Sequence, residues 1–325
     1  MTQSCRMMLF LALSLITHLS LASPASAAAQ ALGSETSDSE TSGSETSDDR
    51  SFTLIDDAGV SHTFSQPVTR IVSLMPHGTE LMFEVGAGDL LVGAVQYSDY
   101  PQAAQKIPRV GGYSGLNIEA IAALNPDLLL SWPDGNAARE LQRLKQLGFR
   151  LFASDPVGYD NIANNLRRFG KLTRREAQAN QVARRFMAEV NALQQQYSQR
   201  PALSVFYQVW YQPLMTQNKD TFISKAIELC GGRNIFADLS IRAPQVSMES
   251  VLVANPDVIV ASGMGEARPE WLDDWRDYPH LKAVQSGSLF HIHPDYFHRP
   301  TSRFLVGTRL LCEKMEATRQ RLAEQ

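Results

Sequence analysis

Cysteine is scarce, with three in 325 residues. No Cys-His array has zinc spacing, and H-E-x-x-H, G-x-S-x-G and P-loop patterns are missing, so metallohydrolase, serine-hydrolase and nucleotide-hydrolysing chemistries have no motif to rest on. Charge of one sign is lacking too. The chain has 30 Lys and Arg against 34 Asp and Glu, a formal net charge of -4, which argues against nucleic acid as the main partner. Long apolar runs are confined to Met7–Leu21 near the N-terminus, and that run is shorter than the ~20 residues a bilayer span needs.

The N-terminal run is itself informative. Arg6 precedes it and Ala25-Ser26-Ala27 follows it, the pattern of a secretory signal peptide. Residues 1–27 are therefore expected to be removed by cleavage after Ala27, leaving a soluble, exported protein. Cys5 lies before the apolar run and does not fit the lipidated cysteine of a lipoprotein signal, which follows it. Residues 28–50 contain SETSDSETSGSETSDD; with no apolar residue to bury, that stretch is expected to be a disordered acidic tether. The exported chain then holds two cysteines, Cys230 and Cys312. In an oxidising compartment they are expected to form a disulfide; the alternative is two separately buried thiols.

The strongest internal pattern is a repeat. Asn117–Trp132 reads NIEAIAALNPDLLLSW and Ser247–Ser262 reads SMESVLVANPDVIVAS, at a constant offset of 130 residues. Each copy opens on an N-cap residue, Asn117 or Ser247, followed by a Glu in the first turn, Glu119 or Glu249, and a short apolar helix. Asn-Pro-Asp ends the helix, because the residue before proline is pushed out of the α region. The apolar runs Leu128–Leu130 and Val258–Val260 read as strands buried on both faces. Two copies are too few for a solenoid and imply two similar α/β lobes.

Signals along the chain agree. Phe52–Ile55 and Val60–Phe64 flank Asp56-Asp57-Ala58-Gly59, a hairpin pattern. Strands at Arg70–Leu74, Leu91–Val95 and Arg150–Ala153 alternate with helices at Thr79–Gly86 and Ala137–Leu147, which predicts a parallel sheet covered on both faces. Between Tyr159 and Tyr197 there is no strand signal. Apolar Val182, Phe186, Val190 and Leu193 predict one long stiff helix over Arg174–Gln199. The expected organisation is an N-terminal lobe over 51–158, connector helices over 159–200 and a C-terminal lobe over 201–325.

Candidate site residues come from aromatics at strand ends: Tyr97, Tyr100, Tyr113, Trp132, Trp210, Tyr211, Tyr296 and Phe297. In open α/β sheets ligands bind outside the carboxyl ends of the strands, so such rings are placed to line a cleft for a large, flat, apolar ligand. Histidines raise a rival. His291-Ile292-His293 alternates as on a strand, with His298 and His77 elsewhere, and imidazoles bind zinc or haem iron.

From about Arg70 to Cys312 the chain resembles the class III periplasmic binding proteins of ABC importers, and within them the cobalamin binders. The residues that carry this are RIVSLMPHGTEL at 70–81, VGAVQYSDYPQAAQKIPRVGGYSGLNIEAIAALNPDLLLSW at 92–132, GNA at 135–137, ELCGGRNIF at 228–236, PQVSMESVL at 244–252 and PDYFHR at 294–299. The resemblance implies two α/β lobes with parallel-rich sheets joined by a long connector helix, periplasmic location, no catalysis and no resident metal or cofactor. It also implies a monomer that captures cobalamin or a related corrinoid and delivers it to a permease dimer in the inner membrane. Tyr97 matches the corrin-contacting tyrosine, Tyr113 stands where that branch has tryptophan, and Trp132 keeps its aromatic. Pro294, Asp295, Tyr296, Phe297 and His298 match the second-lobe contact segment. Ala243 departs from the aromatic found in that branch; Trp210 or Tyr211 is available to cover the lost face. Glu119 and Glu249 match the two permease-docking glutamates. The alternatives are a haem or ferric-siderophore binder of the same fold, and a secreted metalloenzyme using His291, His293 and His298.

Overall fold

The computed structural model describes residues 51–263 and 267–324. The expected signal peptide and acidic tether lie outside these residues.

A hairpin, β1 (Phe52–Ile55) and β2 (Ser61–Phe64), leads the chain and pairs antiparallel through the expected turn. Then follow β3 (Ile71–Ser73), α1 (Pro76–Glu84), β4 (Leu91–Ala94), the small ribbon β5 (Gly111–Gly112) and β6 (Gly115–Leu116), α2 (Ile118–Ala123), β7 (Leu128–Ser131), α3 (Ala138–Gln146) and β8 (Leu151–Ala153). Two helices come next, α4 (Tyr159–Thr173) and α5 (Glu176–Tyr197). The second half runs β9 (Leu203–Gln208), α6 (Phe222–Leu229), β10 (Gly232–Asn234), α7 (Met248–Ala254), β11 (Val258–Ala261), α8 (Lys282–Gln285), β12 (Leu289–His291), α9 (Pro294–Phe297) and α10 (Phe304–Ala323).

Two four-stranded parallel sheets result, ordered β4-β3-β7-β8 and β10-β9-β11-β12. Each is second-first-third-fourth in chain order, so the lobes share one topology and the sequence repeat falls on equivalent elements. The repeat strands β7 and β11 are buried along their whole length, as their apolar runs require. Asn125 and Asn255, before the prolines, are left-handed, with φ of 43° and 44°, and so stop α2 and α7. The aspartate of each Asn-Pro-Asp then ties its strand to the first strand of the lobe. Asp127 Oδ2 accepts from Thr69 N, Thr69 Oγ1 and Arg70 N at 2.8, 2.9 and 2.9 Å. Asp257 Oδ2 accepts from Ser204 N and Oγ at 2.8 and 2.7 Å.

The long helix expected over Arg174–Gln199 forms as α5. The connector is a helical hairpin, α4 and α5, turning at Arg174, which takes φ 55° while its neighbour Arg175 donates its N–H to Gly170 O at 2.8 Å. The two helices approach so closely at Gly170 that a Cβ there would stand 2.3 Å from Ala179 Cβ, and that contact sets the crossing. One apolar core runs through both lobes and the hairpin, from Leu128 and Phe152 through Leu166, Phe186 and Val260 to Met315 of α10.

The expected disulfide forms. Cys230, at the end of α6, is bonded to Cys312 in α10, with Cα atoms 4.7 Å apart and 82 residues between them in sequence.

Candidate functional site

Of the candidate residues, Trp132 lines a cavity to which both lobes contribute. Trp132 directly follows β7. Its backbone N–H is fixed by Asn136 Oδ1 at 2.8 Å, and its indole N–H donates to Asp155 Oδ1 at 3.1 Å. His77, at the start of α1, meets the indole edge-on at 5.2 Å between centroids. Burial pushes the His77 imidazole down to about 4 against the opposing pull of the Ser154 backbone, so the ring is neutral at physiological pH.

Trp132, Asp134 and Asp155 form one wall of a cavity of about 170 Å3; Phe222, Arg242 and Ala243 form part of the wall from the other lobe. Ala243 therefore faces the same cavity as Trp132. Trp210 is 40% exposed, with its indole N–H on Gln212 O at 2.9 Å. Bridges from Trp210 to Met215 and from Met215 to Gln245 place its loop beside the Arg242–Gln245 segment. Tyr211 does not turn to that face; it stacks on Trp271 with ring planes 5° apart.

Tyr97 and Tyr113 are 69% and 100% exposed. Tyr97 has φ 64°, a left-handed conformation that is uncommon for a bulky side chain and is often held at binding sites. In the adjoining β5–β6 ribbon Gly111 has φ 126°, and a Cβ there would lie 2.4 Å from Gly115 O, so only glycine fits.

The turn after Tyr97 meets the α9 segment across the lobe boundary. Arg299 Nη1 donates to Asp99 Oδ1 at 2.6 Å and to Glu80 Oε1 at 2.9 Å, while its Nη2 pairs with Asp295 at 3.0 Å. Arg303 donates to Glu80 at 3.2 Å and lies 3.8 Å over the Tyr100 ring and 5.1 Å from that of Tyr296. Thr301 Oγ1 donates to Glu80 Oε2 at 3.1 Å, and Ser302 donates to Glu84 through its N–H and its hydroxyl. Sequence reading missed this junction. Its only trace there is matched spacing, Glu80 and Glu84 on one helix face against Arg299 and Arg303.

Two of the expected contact residues are tied into their own lobe. Phe297 has 0% exposure and packs on Tyr207 and Phe304; it is a core residue, because α9 turns its apolar side into the lobe. His298 Nε2 is engaged by the Tyr207 hydroxyl at 2.7 Å, and burial with the neighbouring Arg299 charge lowers its pKa to about 4. Pro294, Asp295 and Tyr296 remain half-buried at the junction. The histidine trio is not a metal centre either. β12 ends at His291, Ile292 is buried, and His293 Nδ1 caps α9 by accepting from Asp295 N at 3.2 Å. Among the described residues no group of three or more His, Cys, Asp or Glu is arranged to hold a metal ion.

Glu84 yields a pH prediction. Burial, with Glu80 beside it, raises its pKa from 4.5 to about 7 against the Ser302 hydrogen bonds. A carboxyl raised in the folded state is held protonated there while the unfolded chain has released its proton. The Glu84 contribution to stability is therefore fullest below pH 4.5 and is lost as pH rises toward 7, by roughly 3 kcal/mol; His77 and His298, both lowered to about 4, act in the opposite sense, adding stability as pH rises toward 6.5. In denaturant melts between pH 4.5 and 7.5, the wild type should lose stability relative to Glu84→Gln by about that amount as pH rises. Equal slopes would assign the pH dependence to other groups.

Residues 71–296 match the periplasmic binding protein family. A vitamin B12-binding protein of Yersinia pestis (strain Pestoides F) is 38% identical over 260 residues, covering 80% of this chain and 91% of that protein. The crystal structure of the periplasmic vitamin B12 binding protein BtuF of Vibrio cholerae superposes with a TM-score of 0.72 at 36% identity, over 78% of this chain and 98% of that one. A possible iron-binding, periplasmic solute-binding protein of Staphylococcus epidermidis ATCC 12228 gives 0.67 at 25% identity, over 77% and 99%.

Proposed function

Because the chain belongs to the periplasmic binding protein family, with the class III fold, we propose that it captures cobalamin or a related corrinoid between its two lobes in the periplasm and delivers it to the permease of an ABC importer. The observation that carries this is the cavity between the lobes, walled by the Trp132 indole at the end of β7 and opened on the facing side by Ala243. The similarity to two vitamin B12-binding proteins supports the choice of ligand. Tyr97, Tyr113, Trp132, Trp210, Pro294, Asp295 and Tyr296 supply the contact surface on this reading, and Glu119 and Glu249 the contacts to the permease.

Titration with cyanocobalamin, haemin and a ferric hydroxamate tests it. Cyanocobalamin is expected to bind and the other two to bind far more weakly. Tight binding of an iron ligand alone would move the protein to the haem or siderophore reading. Trp132→Ala should weaken cyanocobalamin by about 30-fold, since burying an aromatic face is worth roughly 2 kcal/mol. Tyr97→Ala should weaken it in the same direction with the fold intact by circular dichroism. Unchanged affinity in both variants would overturn the site assignment.

A further inference from the structure

One guanidinium crosses the cavity between the lobes. Arg242 Nη1 donates to Asp155 Oδ2 at 2.8 Å and also to Asp134. Both ends are mounted on held backbone. The Arg242 carbonyl accepts from Asn218 N at 3.0 Å, and the next carbonyl but one, of Pro244, accepts from Thr216 N at 3.1 Å. Across the cavity the Asp155 N–H is fixed by Asp57 Oδ2 at 2.8 Å. The second oxygen of the same Asp155 carboxylate takes the Trp132 indole N–H. Asp155 therefore sits at the edge of the aromatic ring proposed to carry the ligand, and Asp134 lies beside it.

The geometry cannot stay as it is when a corrinoid enters. A cavity of about 170 Å3 falls below the ~300–1,000 Å3 that even drug-sized ligands occupy. A corrin seated on Trp132 must part the lobes and draw Arg242 away from its aspartates. Asp134 and Asp155 are then two acceptor-only carboxylates without their cation, and Asp220 adds a third carboxylate to the lining. Carboxylates covered by a ligand and given no donors are costly. The ligand has to bring the donors itself, at the edge of its ring.

Resting on the corrinoid reading above, we propose that Asp134 and Asp155 select the ligand by its periphery, accepting N–H bonds from a corrin edged with primary amides and rejecting one edged with carboxylates. Cobalamin carries amides there; cobyrinic acid carries free carboxylates. A carboxylate edge brings like charge against like and offers no donor, so it loses on both counts. Arg242 neutralises the pair whenever the lobes stand as they do here, and its withdrawal exposes the selecting charge.

The test is calorimetric titration of the full folded chain with cyanocobalamin and with cobyrinic acid, for the wild type, Asp134→Asn with Asp155→Asn, and Arg242→Gln. The wild type should prefer cyanocobalamin by about 100-fold or more. The double asparagine variant should shrink that ratio at least about 10-fold, chiefly by gaining affinity for cobyrinic acid. Arg242→Gln, which removes the cation that competes for both carboxylates in the ligand-free protein, should strengthen cyanocobalamin binding. A wild type that binds cyanocobalamin with no preference, or an unchanged ratio in the double variant, overturns the selection and leaves the corrinoid reading standing. Weaker cyanocobalamin binding by Arg242→Gln also overturns it. Failure of the wild type to bind cyanocobalamin overturns both.

Discussion

Replacing Glu119 and Glu249 together by alanine is expected to abolish corrinoid uptake and permease binding while leaving corrinoid affinity unchanged and costing only the small stability that the helix dipole confers at each site. Both glutamates are exposed in the first turn of equivalent helices, α2 and α7. A glutamate there is also favoured by the helix dipole alone, so position by itself decides nothing. The capping, however, is done by other residues. Asn117 Oδ1 accepts from Ala120 N at 2.9 Å and Ser247 Oγ from Ser250 N at 3.2 Å. The inward sides of the helices are occupied by Ile121 and Val251, each fully buried. The Glu249 carboxylate is held below its usual range by its own backbone N–H and the Ser247 hydroxyl, so it is charged at neutral pH. Two such carboxylates, one on each lobe at matching points of matching sheets, suit a dimeric permease that offers arginine to each. Bidentate guanidinium pairing supplies the orientation, and long-range attraction supplies the rate of encounter. Uptake of labelled cobalamin and co-purification with the permease are the measurements, with single variants expected to fall between. Full uptake by the double variant would reduce both residues to helix-start glutamates.

The second large effect is on stability. Converting Cys230 and Cys312 to alanine should destabilise the protein by about 4.5 kcal/mol in the chain-entropy account of a loop of 82 residues. That corresponds to a melting point lower by about 10 °C for a chain of this size. The bond joins the end of α6 to α10, and both cysteines are fully buried. Arg319 reinforces the same junction, donating to the carbonyls of Pro201, Cys230 and Gly231 at 2.7, 2.7 and 3.0 Å. Because these hydrogen bonds survive the substitution, α10 should stay docked and the circular dichroism of the variant should match the wild type. A melting point within a degree or two of the wild type would show that the hydrogen bonds alone secure α10. Thiol titration of unreduced, denatured protein should find neither cysteine free.

The two lobes were legible in the sequence because every signal in the repeat is local. An N-cap, a short apolar helix, a proline stop and an apolar strand each act over a few residues, and their recurrence at one offset leaves little freedom in topology. The disulfide was legible for a different reason: beyond the N-terminal apolar segment there are two cysteines, Cys230 and Cys312, and so one pair to make. The long connector helix starting near Arg174 was legible from its apolar spacing; how α4 packs against it was not, because the close approach of Gly170 to Ala179 exists only in the folded hairpin. The packing of Phe297 and His298 was not legible because aromatic type does not report direction; α9 decides which rings enter the core.

The sequence by itself determined the class of fold, the equivalence of the lobes, the exposed glutamate pair and the placement of Tyr97 and Trp132 at strand ends. These follow from periodicity, capping and turn chemistry within short windows. Only the tertiary structure decided which charges meet. Glu80 finds Arg299 and Arg303 across more than 200 residues, and Arg242 finds Asp134 and Asp155 across 108 and 87. Such pairs have no local signature, since an ion pair is a matter of distance in space, and distance between remote residues exists only once the two sheets and the helical hairpin between them have packed.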